Sequence, residues 1–456
     1  MKVGRLLQEA PAITVFILCL FGGGFARSSL GIVAPVCREA EAIFKDAQTQ
    51  WLVVLCIGTY LVAFAVMRTR WTGRVTRVGS IDFWRSTFLA ISMLCYFRNY
   101  RDASQSTQTV ILLGGAAVGS GAWANVFWRN EPWLSMRSLW RFLILTVVIL
   151  TLSSFWNSKS GSKFFYKENV RWIGPCDNPN LYGLLMATGV MLDLGLALYS
   201  AGVVSATGSW RIFWKCMKDA LLLAAAGLLC FGLWKSYSRG AWLGAGIGVL
   251  YLSIQWHKRH PIESTSQIRR IRVVVGIAVA LTELLVLFFW QFKHTESLTA
   301  RRVVSVSNQN DLSWLNRVAA WEGALQMIAE KPWLGFGWDQ PESLYGYYYS
   351  ASRLDDARAI LINDYLMVGA TLGVPALLCF GIYLSLSFNG STRRKARSDE
   401  DLEGRQLDWL KAVCRAGALA LLVGFWFDGG LFKLPTAATF WILLELGRKE
   451  GQKVQE

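Results

Sequence analysis

Twelve apolar runs, most of them close to the length that a helix needs to cross a bilayer, dominate this sequence. They lie near 12–34, 51–67, 81–97, 109–127, 139–155, 180–202, 219–234, 240–256, 273–291, 362–388, 412–428 and 434–447. A bilayer core about 30 Å thick requires roughly 20 apolar residues per helix. The runs therefore predict an all-α polytopic membrane protein with about 12 transmembrane helices. The composition agrees, because 53% of the residues are hydrophobic and soluble domains average about 45–50%.

Lys and Arg cluster on one side of these predicted spans. Counted from a cytoplasmic N-terminus, the inner segments are Lys2 with Arg5, 68–77, 128–141, 210–218, 257–272, 392–397 and 447–453. Basic residues are retained on the cytoplasmic side of a membrane, so both termini are predicted to be cytoplasmic. The net charge of +16 then reflects this asymmetry and contact with anionic membrane lipids. No nucleic-acid-binding motif accompanies the charge, and a nucleic-acid partner is not expected.

One outer segment, 292–361, is far longer than the others. Loops of this length are normally functional or disordered, and the many aromatic residues argue against disorder. Within it, the stretch SWLNRVAAWEGALQMIAEKP (313–332) predicts an amphipathic helix that Ser313 caps and Pro332 ends. Its apolar stripe consists of Trp314, Val318, Trp321, Leu325 and Ile328. We expect the helix on the outer membrane surface or over the mouth of the bundle, although packing against neighbouring spans explains the stripe equally well.

Other chemistry-bearing patterns are few. The sequence has no ordered His/Cys cluster, P-loop or dinucleotide fingerprint, so no metal and no cofactor are expected. Cys37 and Cys176, outside the predicted spans, could pair in an oxidising exterior compartment, although sequence does not show that they meet. The aromatic run YGYYY (345–349), with Trp333 and Trp338 nearby, suits sugar stacking and an interfacial aromatic belt equally well.

Charged residues at the outer ends of spans are the candidates for chemistry. KSYSRGAWLG (235–244) places Lys235 and Arg239 at the outer mouth, and RWIGPCDNPNLYG (171–183) places Arg171 there. A charge at membrane depth costs about 2.5 kcal/mol or more, so each arginine needs an anionic partner or access to water. The simpler explanation is that each arginine anchors its helix end at the membrane interface and reaches water. Two converging arginines would instead suit a diphosphate, because guanidinium pairs bidentately with phosphate oxygens, and diphosphates at this depth belong to lipid-linked carriers.

Four ordered segments resemble the O-antigen ligase and polymerase superfamily. They are Arg171 to Gly174 followed by PN (179–180), SRGAWLG (238–244), RVAAWEGALQMIAEKPWLGFGW (317–338) and INDYLMVGATLGVPALL (362–378). The resemblance covers about residues 140–390. It implies three parts of the chain: 1–139 with the first four spans, 140–390 as the ligase-like core with periplasmic loop 292–361, and 391–456 with a cytoplasmic linker and the last two spans.

The resemblance implies a metal-independent glycosyltransferase of the bacterial inner membrane with its active face in the periplasm. The donor would be an undecaprenyl-diphosphate-linked glycan, and the acceptor a hydroxyl of lipid A core or a related lipid or glycan. Ligase activity is favoured, and polymerase activity differs only in the acceptor. A catalytically inactive relative is a further alternative. A non-enzymatic polysaccharide or lipid transporter is another, but the unusual residues concentrate at the outer mouth rather than in broken helices at mid-membrane depth.

The same resemblance assigns roles to individual residues. Arg171 and Arg239 would hold the diphosphate and stabilise the charge that develops on the leaving group. Arg317 would be a weaker substrate or structural contact. The remaining expected substrate contacts are Trp321, Asn180, Asn363 and Lys235.

One position departs from the family pattern. Members usually read His-Asn at the start of the tenth span, whereas Ile362 precedes Asn363 here. Transfer to a hydroxyl needs a proton acceptor within hydrogen-bond reach. Asp364 is the first candidate, although a residue two positions along a helix points about 200° away. Glu322 and His294 are the other candidates, or the arginines supply most of the catalysis.

Overall fold

The computed structural model describes residues 80–98, 132–155, 164–166, 169–174, 178–202, 209–259, 312–337, 363–388, 400–427 and 429–448. In these ranges the chain is α-helical apart from one short hairpin and short connecting segments. The helices are α1 (Ser80–Arg98), α2 (Pro132–Phe155), α3 (Pro179–Gly202), α4 (Ser209–Ser236), α5 (Arg239–Arg259), α6 (Leu312–Glu330), α7 (Asp364–Leu372), α8 (Val374–Phe388), α9 (Glu400–Phe427) and α10 (Leu434–Gly447). The hairpin pairs β1 (Phe164–Tyr166) with β2 (Asn169–Arg171) in antiparallel register.

Three of the described helices are long and apolar enough to cross a bilayer. These segments are Pro179–Ser200, Cys216–Ser236 and Gln406–Phe427, and shorter apolar segments lie at Phe83–Cys95, Leu139–Leu152 and Val374–Phe388. Each coincides with a predicted span, so the all-α class is confirmed and the helices support a membrane protein. The expected spans near 12–34, 51–67, 109–127 and 273–291 lie outside the described residues, as do Cys37 and Cys176.

Helix α9 is the centre of the bundle and packs against α3, α5 and α10. Its contact with α5 is antiparallel, because Gly244 faces Ala420 whereas Trp256 packs on Trp409 at a ring distance of 5.2 Å. Gly244 allows the close approach, since a Cβ there would lie 2.5 Å from the Ala420 carbonyl oxygen. Contacts between small residues of this kind are the usual way for helices to associate in membranes.

Helix α3 is also antiparallel to α9. Gly195 accepts a hydrogen bond from the Trp409 indole (2.9 Å), and Leu184 contacts Gly424 near the other end. Nearly all of α3 is buried, whereas α4 exposes Leu221, Leu223 and most of its apolar surface. Among the described residues, one side of α4 has no protein neighbours, which suits contact with lipid tails.

The predicted tenth span, 362–388, is not one continuous helix. It breaks at Gly373, whose φ of 86° is a left-handed conformation that favours glycine. The segment KPWLGFG (331–337) fills the break: Phe336 and Gly337 donate to the carbonyls of residues 370 and 371 (both 2.9 Å), and Val374 donates to the Pro332 carbonyl (2.7 Å). Interrupted helices are tolerated at membrane depth only where protein satisfies the freed backbone groups, and 331–337 does this.

Helix α6 forms where the sequence predicts it, although it begins one residue before Ser313, and its packed face is rotated from the predicted one. Ala320, Ala324 and Met327 are fully buried, Trp321 and Ile328 of the predicted stripe pack beside them, and Leu325 of the stripe is 55% exposed. Small alanine side chains allow α6 to approach α7 closely, and this contact outweighs the larger side chain of Leu325. The side chains of Ser313 and Trp314 lie outside the described part of the helix.

A buried ionic cluster joins three helices near the C-terminus of α10. Glu445 of α10 pairs with Arg85 of α1 (2.6 Å) and with Arg448 (3.0 Å), and it accepts a hydrogen bond from the Tyr383 hydroxyl of α8 (2.7 Å). Buried charges are tolerated when they are paired and hydrogen-bonded in this way. The cluster therefore fixes α1, α8 and α10 relative to one another.

Candidate functional site

The turn between α4 and α5 carries Arg239, and its serines determine its shape. The Ser238 side chain accepts from the Ala241 amide (3.2 Å), which is the geometry of a helix N-cap. Ser236 Oγ accepts from the Ser238 amide (3.2 Å) and donates to the Leu233 carbonyl (2.6 Å). Tyr237 between them takes a positive φ of 52°. The sequence SYSRGA thus folds as a capped, tight turn that makes Arg239 the first residue of α5.

Arg171 lies directly against this turn. Its Nε donates to the Ser236 carbonyl (2.8 Å), and its Nη2 donates to Asn180 Oδ1 (2.6 Å). The next residue, Trp172, donates its amide to the Lys235 carbonyl (3.0 Å). The guanidinium is buried and oriented from two sides, so the end of β2, the start of α3 and the end of α4 all meet at Arg171.

Arg239 has an electrostatic setting that favours an anion. The N-terminus of a helix carries a partial positive charge, and a cation there is disfavoured by about 0.3–1 kcal/mol. The first turn of α5 contains no acidic residue, and Arg239 is partly exposed. A helix N-terminus, its first-turn arginine and Arg171 beside the same turn together resemble the surroundings in which phosphates bind.

Lys235 shares the turn but has other interactions of its own. Its Nζ lies 5.0 Å from the Trp234 ring and 5.6 Å from the Phe231 ring, which are cation–π distances. It also occupies the last turn of α4, where a cation is favourable. These contacts suit a residue that anchors the end of α4 at the membrane interface as well as they suit a substrate contact.

Helix register places Arg239 and Asn180 at the same end of α9. On α5, Gly244 faces Ala420, so Arg239, five residues earlier, is level with the last turn of α9. On α3, Leu184 faces Gly424, and Asn180 is one turn earlier. Both residues are therefore at the height of the last turn of α9, within about one helical turn.

Helix α6 also reaches the end of the bundle at which α9 ends. Arg317 and Trp321 are one turn apart and share a face, and the Trp321 ring lies 6.0 Å from the ring of Trp426 in the last turn of α9. Tyr365 of α7 packs on the same Trp426 ring at 5.7 Å. Arg317 is buried. The predicted contacts on α6 thus lie at the same end as the two arginines.

Asn363 and Asp364 begin α7 and are both buried. Asn363 is the N-cap, and its Oδ1 accepts from the Leu366 amide (2.7 Å). Asp364 Oδ2 accepts from the Leu431 amide (2.7 Å), which ties α7 to the loop between α9 and α10. In the described part of the chain, Asp364 thus bonds this loop rather than Arg171 or Arg239.

Other candidates for the proton acceptor are less well placed. Glu322 is an exposed residue of α6, next to Trp321. Ile362, at the family's histidine position, and His294 lie outside the described residues. The exposed His257 is near the C-terminus of α5, at the end opposite Arg239.

Sequence reasoning missed three residues at this end of the bundle. Trp426 and Tyr365 lie inside apolar runs, where nothing distinguishes them from core or lipid-facing residues. Asn178 was also missed, and its Oδ1 accepts from the Asn180 amide (2.8 Å) at the start of α3. The pattern Asn-Pro before a helix is a recognisable capping signal that could have identified it.

The comparisons with known proteins give one family match. Residues 221–381 match a protein-family model described as O-antigen ligase. The matched range runs from α4 through the turn at 235–239 and through α6 and α7 into α8, while Arg171 and Asn180 precede it. No curated protein matches the chain. The resemblance deduced from the sequence is confirmed over this range, because residues 221–381 are similar to the O-antigen ligase family and support the O-antigen ligase superfamily.

Proposed function

We propose that this protein transfers a glycan from an undecaprenyl-diphosphate carrier to an acceptor hydroxyl, of lipid A core or a related molecule, in the manner of an O-antigen ligase. The family match supports glycan transfer as the general role. The observation that carries the proposal is the hydrogen bond from Arg171 to the turn that bears Arg239. The reaction takes place on the periplasmic side of the bacterial inner membrane, and both termini are cytoplasmic.

In this mechanism the two arginines bind the diphosphate of the donor. As the bond between the sugar and the diphosphate breaks, negative charge grows on the phosphate oxygens, and the arginines and the N-terminus of α5 stabilise it. Arg171 is already oriented by Ser236 and Asn180, so no reorganisation is needed during the reaction. Donors fixed in this way contribute about 2.7–4 kcal/mol each to lowering a barrier.

The acceptor oxygen bonds to the sugar, and its proton passes to a base. Asp364 is our first assignment, since it is a buried carboxylate beside Asn363 at the family's motif position. Its carboxylate accepts from the Leu431 amide, and its remaining lone pairs can accept the proton. Arg317, Trp321 and Asn363 contact the substrate from α6 and α7, and Lys235 contacts it from the turn.

Reconstitution in proteoliposomes with an undecaprenyl-diphosphate-linked glycan tests the proposal. Arg239→Ala and Arg171→Lys are each expected to lower kcat by roughly 100-fold, as the loss of one preorganised donor does. Arg141→Ala, which removes an exposed arginine of α2, is the matched control and should retain full activity. Equal turnover in all variants would refute the binding of the diphosphate by Arg171 and Arg239.

The acceptor decides between the related activities. Transfer to lipid A core identifies a ligase, and transfer to a second carrier-linked glycan identifies a polymerase. Absence of transfer to either, with the carrier-linked glycan still bound, would indicate an inactive relative or a transporter.

A further inference from the structure

Trp426 is a partly exposed aromatic residue at the end of the central helix. Its side chain is 42% exposed in the last turn of α9, although most of that helix is buried. Trp321 of α6 and Tyr365 of α7 flank the ring at 6.0 Å and 5.7 Å. The residue lies beyond the family match at 221–381, and it is level with Arg239 and Asn180.

Contacts from α7 hold this aromatic group in place. The Tyr365 hydroxyl donates to the Leu422 carbonyl (2.7 Å), one turn before Trp426. On the other side of Trp426 in the chain, Asp364 bonds the Leu431 amide. Asp364 and Tyr365, the first two residues of α7, therefore hold the chain on both sides of Trp426. Rigid aromatic surfaces bind ligands at a low cost in conformational entropy.

A polar group that lacks a partner lies two residues from Tyr365. Asn363 is 1% exposed, and its Oδ1 is fixed by the Leu366 amide. Within the described residues, its Nδ2 has no hydrogen-bond acceptor. Leaving a buried donor unsatisfied costs about 1–3 kcal/mol, so an oxygen atom of a ligand would relieve this cost.

A rigid aromatic surface next to a few polar groups is the usual chemistry of a small-molecule site. A pyranose ring matches it, because one face of the ring presents C–H groups and its rim presents hydroxyls. We infer that Trp426, flanked by Tyr365 and Trp321, is a stacking platform for a sugar ring of the acceptor glycan, with Asn363 Nδ2 donating to a hydroxyl. The inference rests on the proposed function. It assigns the acceptor because Asn363 adjoins Asp364, the assigned base, whereas the diphosphate of the donor lies at the arginines.

The first test is kinetic and uses the full-length protein in proteoliposomes. Trp426→Ala should raise KM for the acceptor about tenfold, the loss expected for one aromatic contact, with kcat and donor KM unchanged. Trp426→Phe should lie between Trp426→Ala and the wild type. The matched control is Phe83→Ala, since Phe83 is an aromatic residue of α1 that is 55% exposed and lies two residues from Arg85 of the ionic cluster, and it should behave as the wild type.

The second test measures binding without transfer. Saturation-transfer NMR on protein in nanodiscs, with methyl glycosides of glucose, galactose and mannose and no donor, should show a signal that Trp426→Ala abolishes and Phe83→Ala retains. Wild-type acceptor KM and NMR signal in Trp426→Ala would overturn the inference, as would an equal loss in Phe83→Ala or a rise in donor KM alone. Sugar binding that depends on Trp426 in a protein without transferase activity would uphold the platform and refute the proposed function.

Discussion

Arg171 donates from Nε to the backbone carbonyl of Ser236, at 2.8 Å, three residues before Arg239. A segment that precedes the family match is thereby attached to the turn that carries Arg239. The contact uses a backbone carbonyl, so it depends on the shape of the turn rather than on the side chain at position 236. Changes to the turn and changes to the partners of Arg171 should consequently have separable effects.

Replacing Asn180 tests how Arg171 is positioned. Asn180→Ala removes the acceptor for Nη2, and hydrogen bonds to charged groups contribute about 1.5–3 kcal/mol. We expect kcat to fall roughly tenfold or more. Asn180→Asp keeps an acceptor oxygen and should retain most of the activity in the proteoliposome assay. An Asp variant as impaired as the Ala variant would argue against this positioning role.

Gly183 of α3 tests the packing of the turn. A Cβ at this position would lie 2.6 Å from Ser236 Oγ and 3.0 Å from Ser238 Cβ, so Gly183→Ala should displace the turn and lower both Tm and transfer. At Gly246 of α5, no atom of the described residues lies within 4 Å of an added Cβ. Gly246→Ala should be neutral or stabilising by up to about 1 kcal/mol. Equal behaviour of the two variants in thermal unfolding would contradict the packing argument.

Asp364→Asn separates chemistry from structure at the start of α7. An asparagine oxygen can still accept from the Leu431 amide, so Tm should change little. If Asp364 accepts the proton, kcat should fall by about 100-fold or more. An unchanged kcat would remove Asp364 as the base, and Glu322→Gln in the same assay would show whether that carboxylate serves instead.

Glu445→Gln should affect stability and leave the site intact. The substitution leaves Arg85 and Arg448 without their buried carboxylate, and breaking a buried pair in this way costs about 3–5 kcal/mol. Tm should fall sharply, while acceptor and donor KM of the folded fraction stay at wild-type values. Tyr383→Phe removes only one hydrogen bond to Glu445 and should have a smaller effect. A change in KM would show that the two ends of the bundle are coupled.

The parts of the fold that depend on the bilayer could be predicted from sequence. Run length alone identifies α3, α4 and α9, because a membrane demands long apolar helices. The prediction that the segments of Arg171 and Arg239 meet also agrees with the geometry, since charged residues gather at the ends of spans. The roles assigned to these residues stay predictions.

The parts that depend on tertiary packing could not be predicted. The break at Gly373 lies in an uninterrupted apolar run, and the segment that stabilises it comes from 331–337. On α6 the large side chains predicted one face, yet Ala320 and Ala324 are the fully buried residues there and Leu325 is exposed. In the sequence, Trp426 is one more residue of an apolar run, and its ring contacts with Tyr365 and Trp321 come from distant segments. Each of these features depends on a contact with residues far away in the sequence. A local sequence pattern carries no information about such contacts.

The backbone bonds between 331–337 and the break at Gly373 limit how the site can open. Three main-chain hydrogen bonds join the end of α6 to the junction of α7 and α8, so α6 cannot swing on a hinge there without breaking them. Helix α6 and helix α7 are thus coupled as one unit through the backbone of 331–337. Any opening of the site beside Trp321 and Tyr365 therefore has to move both helices together.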